Sequence, residues 1–154
     1  MMYPEIEAKF KQLELWLLMQ LASQYIAGKP CVLKRRDPAS IGAVGLTTVN
    51  MQGVPIVTLM PSLQDEGDQV LLETYLHELA HVRLHSGMIR RTNTDMQPPN
   101  SKETPPSPRE YENEANDQAK AWLEYGERHR DLNEPYAQGV IYALVDYYTK
   151  GKTE

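Results

Sequence analysis

Thr74-Tyr75-Leu76-His77-Glu78-Leu79-Ala80-His81-Val82-Arg83-Leu84-His85 decides how the rest of the chain is read. His77 and His81 stand four apart. On a helix that spacing places two side chains on one face, so both imidazoles can grip a single ion. Glu78 lies one step round from His77, near such an ion but suited to holding a water that the ion activates. A pattern of five residues also arises by chance, so the flanking chain has to support it.

The immediate flanks do. On a 100° wheel Thr74, His77, Glu78, His81 and His85 share one face, while Leu72, Leu76 and Leu79 point the other way, into a core. Asp65 or Asp68 can cap the start of this helix, and Ser86-Gly87 stops it.

Upstream, residues 4–27 read as a buried helix. Pro4 suits its first turn, Ile6, Phe10, Leu13, Leu17, Leu21 and Ala22 recur at helical spacing, and Gly28 and Pro30 end it. Cys31-Val32-Leu33, residues 43–49 and residues 54–60 then read as three short strands. Asn50-Met51-Gln52-Gly53 supplies turn chemistry for a hairpin between the last two. Pro55 cannot donate to a ladder, which places the 54–60 strand at a sheet edge near its start. Downstream, residues 88–108 hold five prolines and few apolar side chains. They read as a mobile irregular insertion, with a lid over the site as the functional alternative. A helix over Arg109–Tyr125 ending at Gly126, a polar link, and a last helix from Pro135 to about Tyr148 complete the chain. The expectation is a single α+β domain over residues 1–154. It has a buried N-terminal helix, a short antiparallel sheet of three strands, the His77/His81 helix and two further helices.

Composition narrows the functional classes. A formal net charge of −5, with no basic stripe, argues against a nucleic-acid surface. A single cysteine, Cys31, excludes an intramolecular disulfide and fits a reducing compartment. The apolar run Leu13–Ala22 is interrupted by Glu14 and Gln20, lacks a basic flank, and is too short to span a bilayer. The expected location is the cytoplasm, with no membrane role.

A catalytic ion site of this type takes three protein ligands and keeps one position open. A histidine ten places after His77 would define one class of such sites, but that place is Gly87. His85 lies about 12 Å of helix rise beyond His77, too far for one ion to take both comfortably. It reads as lining the site, or equally as a helix-end histidine. On the following helix Glu112, Ala115, Asn116, Ala119, Trp122 and Leu123 form one stripe. Glu112 is therefore a carboxylate on an otherwise inward face, and it needs a partner. A metal is one candidate partner, and Arg83 is the other. Glu114 falls on the opposite, solvated side. Asn116, one turn from Glu112, could accept from a ligand imidazole and orient it. The resulting set is His77, His81 and Glu112 as ligands of Zn²⁺ and Glu78 as the catalytic base, with Asn116 and His85 around them.

At these positions the sequence resembles the ImmA/IrrE family of metallopeptidase-like proteins. The pieces that match are Val54-Pro55-Ile56-Val57-Thr58-Leu59, then His77 to His85, then Glu112-Asn113-Glu114-Ala115-Asn116-Asp117-Gln118-Ala119. The family shows H-E-x-x-H with a further histidine four residues on, followed by E-x-E-A-[ND]-x-x-A. In gluzincin-like sites the ligand is the first Glu of E-x-x-x-[DN], which maps onto Glu112. The family often carries a DNA-binding module or long extension, and none is legible here. The resemblance implies a zincin-like domain and a zinc-dependent endopeptidase. Its protein partner would be a DNA-binding repressor or regulator of the kind found in phages and mobile elements, without direct DNA contact. A non-catalytic zinc-binding interaction domain, antitoxin-like, is the alternative, and a structural protein with a chance motif is a third. Tyr111, His85, His129 and Tyr147 are the candidates for stabilising an oxyanion.

Overall fold

The structure is a computed structural model and describes residues 14–35, 45–85 and 109–150. The 4–13 part of the expected first helix, Gly87 and the Pro-rich 88–108 stretch lie outside those residues. The described chain runs α1 (Leu15–Ala27), β1 (Val32–Arg35), β2 (Gly45–Val49), β3 (Pro55–Leu59), a 3-10 turn (Pro61–Glu66), α2 (Asp68–His85), α3 (Arg109–His129) and α4 (Tyr136–Lys150). The α+β class expected from the sequence holds.

Helix α1 ends where the sequence places its end. Gly28 takes a left-handed conformation (φ 83°) and its N–H donates to the Gln24 carbonyl, a backbone turn that an L side chain resists. Trp16, Leu18, Met19, Ala22 and Ile26 are buried on its inner side, whereas Leu17, expected on that stripe, is exposed.

The hairpin also forms as read. β2 and β3 pair antiparallel from Gly45↔Leu59 to Val49↔Pro55. Asn50 closes the turn with its own side chain, whose Oδ1 accepts the N–H groups of Gln52 and Val54. The rest of the sheet differs from expectation. β1 pairs parallel to β3 on its other side, so the order is β1-β3-β2 and the sheet is mixed. β3 is therefore central and not an edge. All five of its residues are buried, and a continuous apolar run gains most from having a neighbour on each side. Pro55 is tolerated there because it stands first in the strand. Pairing with β1 starts only at Val32↔Ile56, so its missing N–H falls before that ladder. The outer strand on the hairpin side is β2.

Helix α2 starts after Gly67, whose carbonyl accepts the Leu71 N–H, so Asp68 sits in the first turn and neither aspartate is the boundary residue. The helix packs against α1, α3, β2 and β3 together. Leu71, Leu72, Tyr75, Leu76, Leu79, Ala80 and Val82 are buried, and so are Glu78, His81 and His85. α2 is thus covered on both sides. Tyr75 ties it to α1, its hydroxyl donating to the Met19 carbonyl at 2.7 Å beside the Ser23 hydroxyl at 3.0 Å.

α3 does not stop at Gly126 but continues to His129. Gly126 serves a close helix crossing instead: a Cβ there would lie 2.6 Å from Val140 Cγ1 of α4. Arg83 fastens three helices. Its Nη1 donates to the Ile26 carbonyl at 3.0 Å, at the open end of α1, and its guanidinium lies 4.3 Å over the Tyr148 ring of α4. Among the described residues no helix is long and apolar enough to cross a membrane.

Two outcomes test this packing. Arg83→Leu should destabilise the protein by about 1–3 kcal/mol in urea unfolding, from the lost carbonyl bond and ring contact, with Arg83→Lys recovering only part. Cys31 is buried ahead of β1, and burial pushes its thiol up to about 11, partly offset by a hydrogen bond with Ser23. A raised thiol ionises only in strong alkali, so iodoacetamide at pH 8 should label native protein far more slowly than urea-unfolded protein.

Candidate metal centre

Three elements build the site. α2 supplies His77, Glu78 and His81, the N-terminal end of α3 supplies Glu112, and the outer strand β2 closes it from the other side. His77 Nε2 lies 3.1 Å from Glu112 Oε1, and His81 Nε2 lies 3.0 Å from Glu112 Oε2. The two imidazole Nε2 atoms are 3.2 Å apart. One donor atom from each of the three residues falls within 4.8 Å of the other two, so the group could hold a metal ion. The electrostatics favour a cation. The two Nε2 atoms crowd each other and both face a carboxylate that can only accept, so without an ion each must turn a proton toward Glu112. A cation at the point of convergence could take both imidazole lone pairs and the carboxylate charge in place of those protons.

The site is a mouth, not a sealed cavity. His81 is buried, His77 is partly buried, and the Glu112 side chain is 44% exposed, more open than its place on the inward stripe suggested. Burial lowers the pKa of His81, with His77 and His85 adding to the effect and Glu112 opposing it. A lowered value keeps the imidazole neutral, the form that has a lone pair to give. Arg83 is engaged with Ile26 and Tyr148, so it does not serve as the partner of Glu112.

Glu78 is held separately from this trio. Thr47 of β2 donates its hydroxyl to Glu78 Oε1 at 2.6 Å. Gly45, two residues earlier on the same strand, leaves the space the carboxylate occupies. A Cβ at Gly45 would stand 3.2 Å from Glu78 Oε2 and 2.9 Å from Thr74 Cγ2. Burial raises the Glu78 pKa, the Thr47 bond and the His77 charge lower it, and Glu112 raises it further. The net effect is upward. A carboxyl group so placed is suited to taking up a proton and passing it on.

Two surrounding residues behave differently from expectation or from each other. His85 is buried beside His81, with the two Nδ1 atoms 3.2 Å apart. Asn116 is exposed, and among the described residues its side chain bonds neither imidazole. The wheel put Asn116 on the right helix but too far round to reach. Sequence reasoning missed Thr47, which belongs to no pattern, and Glu114, which the wheel sent to solvent but which meets His85 Nε2 at 2.8 Å. Of the four oxyanion candidates, His129 and Tyr147 both lie against the Tyr125 ring, the first tilted and the second edge-on, thirteen residues or about 20 Å of helix rise from Glu112. Tyr111 stacks on His85 at the site.

No family model matches the sequence, and no curated protein or solved structure matches it significantly.

The purified protein should take up one divalent ion per chain, measured by elemental analysis after dialysis. His77→Ala and Glu112→Ala should each abolish that uptake while far-UV circular dichroism stays unchanged.

Proposed function

We propose that this chain is a zinc-dependent metallopeptidase that hydrolyses a peptide bond in a protein partner, in the cytoplasm. The observation that carries the reading is one juxtaposition. A His77/His81/Glu112 donor set lies beside a buried glutamate, Glu78, that belongs to a different hydrogen-bonding arrangement. Two histidines and a glutamate with a position left open is a donor set of catalytic zinc. Donor atoms around a tetrahedral zinc stand about 3.3 Å apart when bonds are near 2 Å; here the two Nε2 atoms are 3.2 Å apart and each has its own Glu112 oxygen at 3.0 or 3.1 Å. One donor atom from each residue lies within 4.8 Å of the other two, so the residues fit the ion after side-chain adjustment.

Zinc in this set supplies a Lewis acid that polarises the scissile carbonyl and brings the pKa of a water toward about 7. The chain's own residues do the rest. Glu78 takes the proton of the attacking water and returns it to the leaving amine. Thr47 occupies Oε1 and fixes the carboxylate's rotamer, leaving Oε2 for the proton. His77, His81 and Glu112 orient the reacting group by holding the ion. Tyr111 is the candidate to donate to the oxyanion. An extended substrate can add to the outer edge of β2, beside Glu78, because no other described strand lies outside it. Strand addition at residues 54–60 is ruled out by the central place of β3.

The resemblance to the ImmA/IrrE family supports a DNA-binding repressor or regulator as the partner, recognised as a protein. Net charge of −5 agrees with a protein partner rather than nucleic acid.

Glu78→Gln is the discriminating variant. It should retain zinc and lower the cleavage rate of a quenched-fluorescent peptide library by about 10²-fold or more. Undiminished cleavage in that variant rules out the mechanism. Zinc-loaded protein that cleaves no member of the library points to the non-catalytic zinc domain instead.

A further inference from the structure

A row of contacts leads away from the His77/His81/Glu112 group through the other ring nitrogen of His81. His81 Nδ1 lies 3.2 Å from His85 Nδ1, and His85 Nε2 lies 2.8 Å from Glu114 Oε1. His85 is only 7% exposed, so both its nitrogens need partners inside the protein, and these two contacts provide them. The Tyr111 ring stacks on His85 with centroids 4.5 Å apart and planes inclined by 25°, which fixes the plane of the imidazole. Tyr111 and Glu114 are three apart on α3, so one turn of that helix supplies both restraints.

The chemistry of the row leaves a single proton arrangement. A His81 that gives its Nε2 lone pair to an ion carries its proton on Nδ1. That N–H has the bare Nδ1 of His85 as its acceptor. A neutral His85 with Nδ1 bare carries its own proton on Nε2, where it points at a carboxylate that can only accept. Every polar atom in the row is then matched. We propose that His85 and Glu114 are positioning residues for the metal ligand His81. They fix its tautomer and ring orientation, and the terminal carboxylate increases the basicity of the ligating nitrogen through the intervening imidazole. Among the described residues His77 has no such support at its Nδ1, so the two histidine ligands are held unequally. The inference rests on the metal-centre reading above.

Zinc affinity, measured against a chromophoric chelator, tests it without needing a substrate. His85→Leu and Glu114→Ala should each weaken zinc binding by about 10- to 100-fold. The melting temperature of the metal-free protein should change little. His85→Gln should recover most of the loss, because its amide oxygen can accept from His81 and its NH₂ can donate to Glu114. A plain packing role for His85 predicts no such rescue. Nitrogen-15 NMR of the zinc-loaded parent should find the His81 proton on Nδ1 and the His85 proton on Nε2, and this measurement decides the matter if His85→Leu fails to fold. Unchanged affinity in folded His85→Leu and Glu114→Ala, or a neutral His85 protonated on Nδ1, overturns the inference and leaves the metal centre standing. A parent protein that binds no zinc, or a His77→Ala variant that binds it as tightly, overturns the centre itself and the inference with it.

Discussion

Taking Glu78, His81 and His85 out of water on a single helix obliges the rest of the chain to answer them. Each is a polar group in a low-dielectric setting, and one left without a partner costs about 1–3 kcal/mol. The partners come from two directions. Thr47 of β2 bonds Glu78, and Glu112 and Glu114 of α3 meet His81 and His85. α2 must therefore lie between the sheet and α3, and the layering of the molecule follows from that need as much as from burial of leucines. The same arrangement keeps Glu78 and the His77/His81/Glu112 group in different hydrogen-bonding systems, so their orientations are set independently.

Close approach around α2 depends on residues without side chains. Gly45 lets β2 come down onto Thr74 and Glu78, and Gly28 leaves room for the Arg83 guanidinium at the end of α1. Gly126 does the same for Val140 where α3 crosses α4. In each case a Cβ would meet an atom at or below 3.0 Å, close enough that something would have to move. The glycines thus bring the elements that carry functional side chains to the distance at which those side chains meet.

Periodicity and spacing made the core of the candidate site legible. The four-residue step from His77 to His81 needs only a helix, and the inward stripe of α3 singled out Glu112 because a carboxylate there required a partner. The hairpin at Asn50–Gly53 and the glycine end of α1 are local chemistry and were equally readable. What escaped were relations between elements. Nothing within residues 32–35 says that they pair parallel with β3, and Pro55 argued for an edge although the apolar run around it belongs in the middle. Gly126 carried a helix-end signal that tertiary packing overrode. The wheel puts Glu114 on the solvated side of α3, yet its carboxylate reaches His85 while the side chain remains 60% exposed. A wheel projects Cα directions and takes no account of side-chain length or of the neighbouring helix.

Of the three residues that could hold an ion, His77 and His81 precede residues 86–108 in the chain and Glu112 follows them. Any ion bound there is also a cross-link: it joins His81 to Glu112 and closes a loop through the intervening chain. In the unfolded polymer, bringing those ends together carries an entropic cost that grows only with the logarithm of loop length. The length and sequence of the intervening stretch can therefore drift with small effect on stability, provided the two anchoring turns persist. Without an ion the N-terminal end of α3 is already held to α2 by the contacts of Glu112 with His77 and His81 and of Glu114 with His85, so an ion would reinforce a seam that side chains make by themselves. An ion bound by this group would therefore favour the ordered form of that helix end by mass action, adding to the contacts already there.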